Sequence, residues 1–181
     1  MARRVAVHPV LETARLRLRR FHEDDVDAMH ACFSDAETMQ FWNSPVHTRR
    51  IDTERVVKRS MAGTPEYWQV WAVADAESDA CVGMVNYHDG HVRNRRASVG
   101  YMVHPAWQGQ GIGAEAVSAV VGFCFGELGM HRLEAFIVPG NVASRALAEK
   151  LGFVCEGVLR ERLRVAGEWR DECLYARLRG A

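Results

Sequence analysis

Leu16 and Leu18 alternate with Arg15, Arg17, Arg19 and Arg20. This period of two predicts a short strand over residues 16–20 with its arginines on a solvated face. From residue 23 to 33 the period lengthens. Val26, Met29, His30 and Phe33 fall on one side of a helix, and Asp24 and Asp25 suit the positive end of its dipole. A second helix is expected over residues 52–62, stopped by Gly63 and Pro65. Apolar runs over 67–74, 81–87 and 97–103 predict three strands with polar turns between them.

After Gly113 comes a longer helix, where Val117, Val120, Val121, Cys124, Phe125 and Leu128 form one broad apolar stripe that ends at Gly129. Residues 133–138 predict a strand. Residues 141–151 predict a helix with Ala143, Leu147 and Leu151 on one face, closed by Gly152 in the left-handed conformation. Two further strands, over 154–164 and 169–178, join around Ala166 and Gly167. Three consecutive strands with short turns pair antiparallel, and the later strand–helix–strand unit requires a parallel pair with a right-handed crossover. The expected fold class is α+β: a mixed, mostly antiparallel central sheet with helices on both faces, in one domain spanning residues 1–181.

Composition narrows the picture without redirecting it. Of 181 residues, 48% are apolar, enough for a sizeable core. Lys plus Arg balances Asp plus Glu at 23 each, which argues against a general role on nucleic acid or a membrane surface. No apolar stretch reaches the roughly 18 residues of a membrane helix, and residues 1–10, with Arg3 and Arg4, lack the apolar segment of a signal peptide. The five cysteines, Cys32, Cys81, Cys124, Cys155 and Cys173, form no CxxC pair and suit a reducing compartment, so the expected location is the cytoplasm. His88 and His91 share a turn with no defined third ligand, so no metal is expected.

Candidate chemistry concentrates in Gln108-Gly109-Gln110-Gly111-Ile112-Gly113, between a predicted strand and the long helix. Glycines let the backbone turn tightly and approach a ligand, and a helix start offers unpaired N–H groups with a positive dipole end. Together they suit a phosphate or pyrophosphate. A dinucleotide fingerprint fits poorly, because antiparallel strands precede the loop and Glu134 begins its strand where a ribose-binding acid should end it. A Walker A loop is absent, since no Lys-Ser/Thr follows the last glycine.

Gln108-x-x-Gly111-x-Gly113 ahead of a long helix resembles the Q/R-x-x-G-x-G/A motif of the GNAT N-acetyltransferases. Asn141-x-x-Ser144-x-x-Leu147-x-Glu149-Lys150-Leu151-Gly152-Phe153 resembles the second block of the branch containing the ribosomal-protein N-terminal acetyltransferases RimJ and RimL. The opening 12–19 and closing 174–178 segments are similar to that branch too. The resemblance implies a splayed strand pair and acetyl-CoA as co-substrate. Main-chain groups of Gly109, Gln110, Gly111, Ile112, Gly113 and Ala114, with Gln108 alongside, would hold the pyrophosphate. Met102 and Val103 would bond the pantetheine amides, and Asn141 would reach the same arm. Ser144, near the thioester sulfur, would protonate the leaving thiolate. Asn141 also suits a helix N-cap.

For the general base, Glu134 leads His88, Glu156 and Glu161, although Glu134 equally suits an ion pair with Arg132. Trp42, Tyr87 and His88 are expected on the acceptor side, with a core role open to each aromatic. The resemblance implies transfer to a primary amine, foremost a protein N-terminal α-amine. A small amine such as a polyamine, an amino acid or an aminoglycoside is the alternative, and a non-catalytic acyl-CoA sensor is a third reading. A homodimer suits the branch.

Overall fold

The computed structural model describes residues 7–180, so Arg3 and Arg4 lie outside the described residues. Eight strands form one sheet in the order β1-β2-β3-β4-β5-β6-β8-β7. They are β1 (Leu11–Glu12), β2 (Leu16–Arg19), β3 (Gln69–Asp75), β4 (Cys81–His91), β5 (Arg96–Val103), β6 (Arg132–Ile137), β7 (Val154–Val165) and β8 (Glu168–Leu178). Every neighbouring pair is antiparallel except β5 with β6, where the chain crosses over through helix α4 (Ile112–Gly126). The mixed sheet matches the expectation.

Strand alternation sorts the side chains into two cores. On one face Val85, Tyr87, Ala97, Val99, Leu133, Ala135, Cys173 and Tyr175 pack against the stripe Ile112, Ala116, Val117, Val120, Val121 and Cys124 of α4, and against Ala148 of α5 (Val142–Lys150). On the other, Met84 and Met102 meet Val26, Met29, Cys32 and Phe33 of α1 (Val26–Phe33) and Val57 of α3 (Arg50–Ser60). A four-residue helix, α2 (Ala36–Met39), capped by the Asp35 carboxylate, links α1 to the loop holding Trp42.

Two local expectations change. The strand expected over 81–87 continues to His91, because His88 and His91 still find backbone partners in Ser98 and Arg96 of β5. Arg19 is not on a solvated face: its guanidinium is buried and donates to both Asp25 oxygens at 2.8 and 3.0 Å. Arg15 precedes β2 and turns toward the glycine loop.

Candidate active site

The parallel pair β5–β6 is short. Only Arg96, Ala97 and Ser98 pair with Arg132, Leu133 and Glu134, after which Val99–Val103 and Ala135–Ile137 diverge. The register on the other side of β5 tells which backbone groups face the opening. His104 N–H donates to Val82 O at 2.9 Å, and Met102 stands opposite Met84 two residues on. In an antiparallel ladder hydrogen-bonded pairs alternate with non-bonded ones. The peptide groups of Met102 are therefore spent on β4, whereas those of Tyr101 and Val103 point into the opening. Of the two residues expected to offer backbone groups, Val103 is so placed and Met102 is not; Tyr101 takes its place.

The glycine loop closes the wide end of this opening. Gly111 is the N-cap of α4 in the left-handed region (φ 81°), which a side chain would strain. Gly113 is needed for space: a Cβ there would lie 2.7 Å from the Tyr101 ring. The first helical bond runs from Glu115 N–H to Gly111 O at 3.1 Å, so the N–H groups of Ile112, Gly113 and Ala114 lie ahead of the i−4 ladder. Gly109 and Gln110 are exposed in the loop, and the Gln110 amide donates to Ala106 O. Gln108 donates to Val103 O at 3.2 Å and to the Thr38 hydroxyl at 3.0 Å.

A brace that the sequence did not reveal fixes the loop from outside. Glu115 accepts from the Thr13 hydroxyl at 2.6 Å, from Arg15 N–H at 3.0 Å and from Arg15 Nε at 2.8 Å. The same guanidinium donates to Gln110 O at 3.1 Å. Burial raises the Glu115 pKa, but the bonds from Thr13 and Arg15 outweigh it and the net shift is downward.

Across the opening, Asn141 caps α5, its Oδ1 accepting from Ser144 N–H at 3.1 Å. Its amide nitrogen takes no part in the cap. The Ser144 hydroxyl lies 3.0 Å from the Tyr101 hydroxyl, which joins α5 to β5 over the gap. Burial raises the Tyr101 pKa. Thr38, Gln40 and Phe41, in and just after α2, cross the mouth: Thr38 meets Gln108, Phe41 lies against Gly140 and Gln40 O accepts from Arg170. Trp42 follows, half-buried and edge-on to Phe33 at 6.4 Å.

Three expected roles fare differently. Tyr87 belongs to the core: it is fully buried beside Trp71 and Phe123, donates to Pro65 O at 2.7 Å and accepts from Gln69. Every second residue of β4 faces the α4 side, and Tyr87 is one of them, so it does not line an acceptor cleft. Glu134 sits at the closed end of the strand pair. One of its oxygens accepts from Arg132 at 2.7 Å and the other from Arg96 at 3.2 Å, and Arg132 also holds Glu156. Both carboxylate oxygens are thus engaged by arginines, as the ion-pair alternative anticipated. His88 stands level with Ser98 on β4, half-exposed, with Nδ1 3.0 Å from Asn86 Oδ1. Burial lowers its pKa, Asp89 opposing and Arg162 adding to the effect.

Among the described residues no group of three or more His, Cys, Asp or Glu could hold a metal, and no helix is long and apolar enough to cross a membrane. The diverging strands, outward peptide groups and helix start fit an extended ligand carrying amides at one end and phosphates at the other.

Comparison with known proteins agrees with this geometry. The family model described as "Acetyltransferase (GNAT) domain" matches residues 15–154. A Bacillus subtilis (strain 168) protein named uncharacterized N-acetyltransferase YoaA is 30% identical over 169 residues, covering 93% of this chain and 96% of that protein. The [ribosomal protein uS5]-alanine N-acetyltransferase of Escherichia coli (strain K12) is 31% identical over 103 residues, 56% of this chain and 53% of its own length. A crystal structure of a GNAT-family acetyltransferase from Bacillus anthracis superposes with a TM-score of 0.86 at 26% identity, covering 96% of this chain and 100% of that one.

Proposed function

The chain belongs to the GNAT acetyltransferase family and is an N-acetyltransferase; from that premise we propose that its acceptor is the α-amino group of a protein N-terminus, with acetyl-CoA as donor. The N–H groups at the start of α4 would hold the pyrophosphate, with the loop fixed by Arg15 and Glu115. The outward peptide groups of Tyr101 and Val103 would bond the pantetheine arm and the thioester carbonyl, where negative charge develops as the amine attacks. Acetyl-CoA supplies an activated acyl group, so the chain need only align the amine and manage charge.

Two considerations favour an N-terminal amine. An α-amine, with a pKa of about 8, is about one-tenth neutral at pH 7, while a lysine-like amine at about 10.4 is neutral roughly once in 2,500. With Glu134, the leading candidate for a base, tied up in ion pairs, the former is favoured. The observation that carries the reading is the pairing of four acids on the α1 side of the sheet. Glu134 is held by Arg96 and Arg132, Glu156 by Arg132, Glu172 by Arg162, and Asp25 by Arg19. A polyamine would have to displace these arginines, whereas a peptide backbone brings one cation and neutral amides. By its name the ribosomal-protein relative acts on an alanine of a ribosomal protein.

The test is thiol release from acetyl-CoA by the purified chain, offered short peptides with free or blocked N-termini and, separately, spermidine. Turnover is expected with free N-termini only. Spermidine turnover exceeding that of every free peptide would overturn the acceptor assignment.

A further inference from the structure

We propose that Tyr101 is a positioning residue for the departing thiolate, acting through Ser144. This rests on the acetyl-transfer reading above and on the place near the thioester sulfur that the GNAT resemblance implies for Ser144. The two hydroxyls are 3.0 Å apart although 43 residues separate them in the chain. Both are held from behind. The Tyr101 ring is wedged so tightly over α4 that a single methyl group at position 113 would strike it at 2.7 Å. The Ser144 backbone is tied to the Asn141 side chain. A serine hydroxyl otherwise rotates freely and presents its hydrogen wherever a partner lies. When Tyr101 donates to Ser144 Oγ, the serine hydrogen is turned away from the tyrosine and is free to point at sulfur.

Acidities decide what this pair does. A thiol of cysteine type has a pKa of about 8.5 and a phenol about 10, and burial raises that of Tyr101 further. Moving the phenol proton to the thiolate is therefore uphill. Tyr101 therefore keeps its proton, and Ser144, oriented by it, stabilises the leaving group as a hydrogen-bond donor. The C–N bond forms, the C–S bond breaks with its electron pair going to sulfur, and the surplus proton leaves from the amine nitrogen to solvent. The pair thus orients and solvates the thiolate rather than protonating it.

Tyr101→Phe keeps the ring over Gly113 and removes only the hydroxyl. Its kcat is expected to fall about tenfold, with KM for acetyl-CoA within about threefold of wild type, the loss of one bond to a developing charge. Ser144→Ala is expected to fall further, and the double variant no further than Ser144→Ala, because Tyr101 acts through the serine. Binding gives a readout apart from turnover. Calorimetric affinity for CoA should rise as pH climbs from about 6.5 to about 8.5 while that for desulfo-CoA stays flat, and Tyr101→Phe should lose most of the rise. Wild-type kcat and pH dependence in Tyr101→Phe, or multiplying losses in the double variant, would overturn the assignment of Tyr101 alone. A wild-type chain that binds CoA but releases no thiol with any amine would instead overturn acetyl transfer, and the affinity profiles would still judge the hydroxyl pair.

Discussion

The two ends of the β5–β6 pair are built by opposite means. At the closed end three residues of each strand share a ladder, and Glu134 is clamped by Arg96 and Arg132. At the open end the strands have no ladder; Tyr101 reaches Ser144 across the gap, while Gln108 to Val103 and Arg15 to Gln110 fix the glycine loop beside it. Charge is spent on stability where the backbone is satisfied. Where the backbone is left unsatisfied, hydroxyls and glycines shape a space for a ligand, and the Arg15–Glu115 pair braces it from outside. A carboxylate at the closed end is thus a poor candidate for chemistry, however near it lies in sequence to the glycine loop.

The sharpest way to break the contrast is to fill the open end. Gly113→Ala puts a methyl group 2.7 Å from the Tyr101 ring. Either the ring or the helix must shift, and misplacement of about 1 Å costs on the order of a hundredfold in kcat/KM, measured with acetyl-CoA and the best peptide. A result within threefold of wild type would show that the ring is not confined. The closed end should answer differently. Glu134→Gln is expected to cost about 2 kcal/mol in stability, typical of hydrogen bonds to a charged group, and to lower Tm by about 4–8 °C. Its kcat should stay within about threefold. A loss of a hundredfold or more, with Tm unchanged, would restore Glu134 as a base. Between these lies Arg15→Gln, which removes the guanidinium from Gln110 O and half of the Glu115 bridge. Arg15 is half-exposed, so solvent screens the pair, and acetyl-CoA affinity measured by calorimetry should weaken only about five- to tenfold.

What was legible in the sequence was what is local. The glycines at 109, 111 and 113, the stripe from Val117 to Leu128 and the cap at Asn141 each declare themselves within a few residues, because turns, helical periods and caps are short-range. Long-range partners do not. Tyr101 meets Ser144 across 43 residues and Arg15 meets Glu115 across 100, and neither contact has a spacing to announce it. Tyr87 was misplaced for a related reason. Both faces of β4 are buried, so alternation marks a strand without saying which residues look toward the cleft. Met102 and Val103 were adjacent candidates that only the ladder register, set by His104 and Val82, could separate.

The smallest expected effect is a slow decline of stability in acid that belongs to neither end. Burial lowers the pKa values of His8, His47 and His88, with Arg20 reinforcing the shift at His8, Asp52 opposing it at His47 and Asp89 opposing it at His88. An imidazole held below its ordinary value of 6.5 in the folded chain takes up its proton more readily when unfolded. Stability is therefore complete above about pH 6.5 and declines as pH falls through the lower folded values. The ion pairs at both ends fail later, since Glu156 beside Arg132 and Glu115 beside Thr13 and Arg15 are held below the usual glutamate value of 4.5 and stay charged to lower pH. Thermal unfolding at about pH 7.5 and about pH 5.5 separates the two windows, because among the side chains it is the histidines that change charge between them. His8→Leu should flatten part of the decline, and Glu134→Gln should leave its slope unaltered. A Tm that rises toward pH 5.5 would mean that these imidazoles are better partnered when charged than their burial implies.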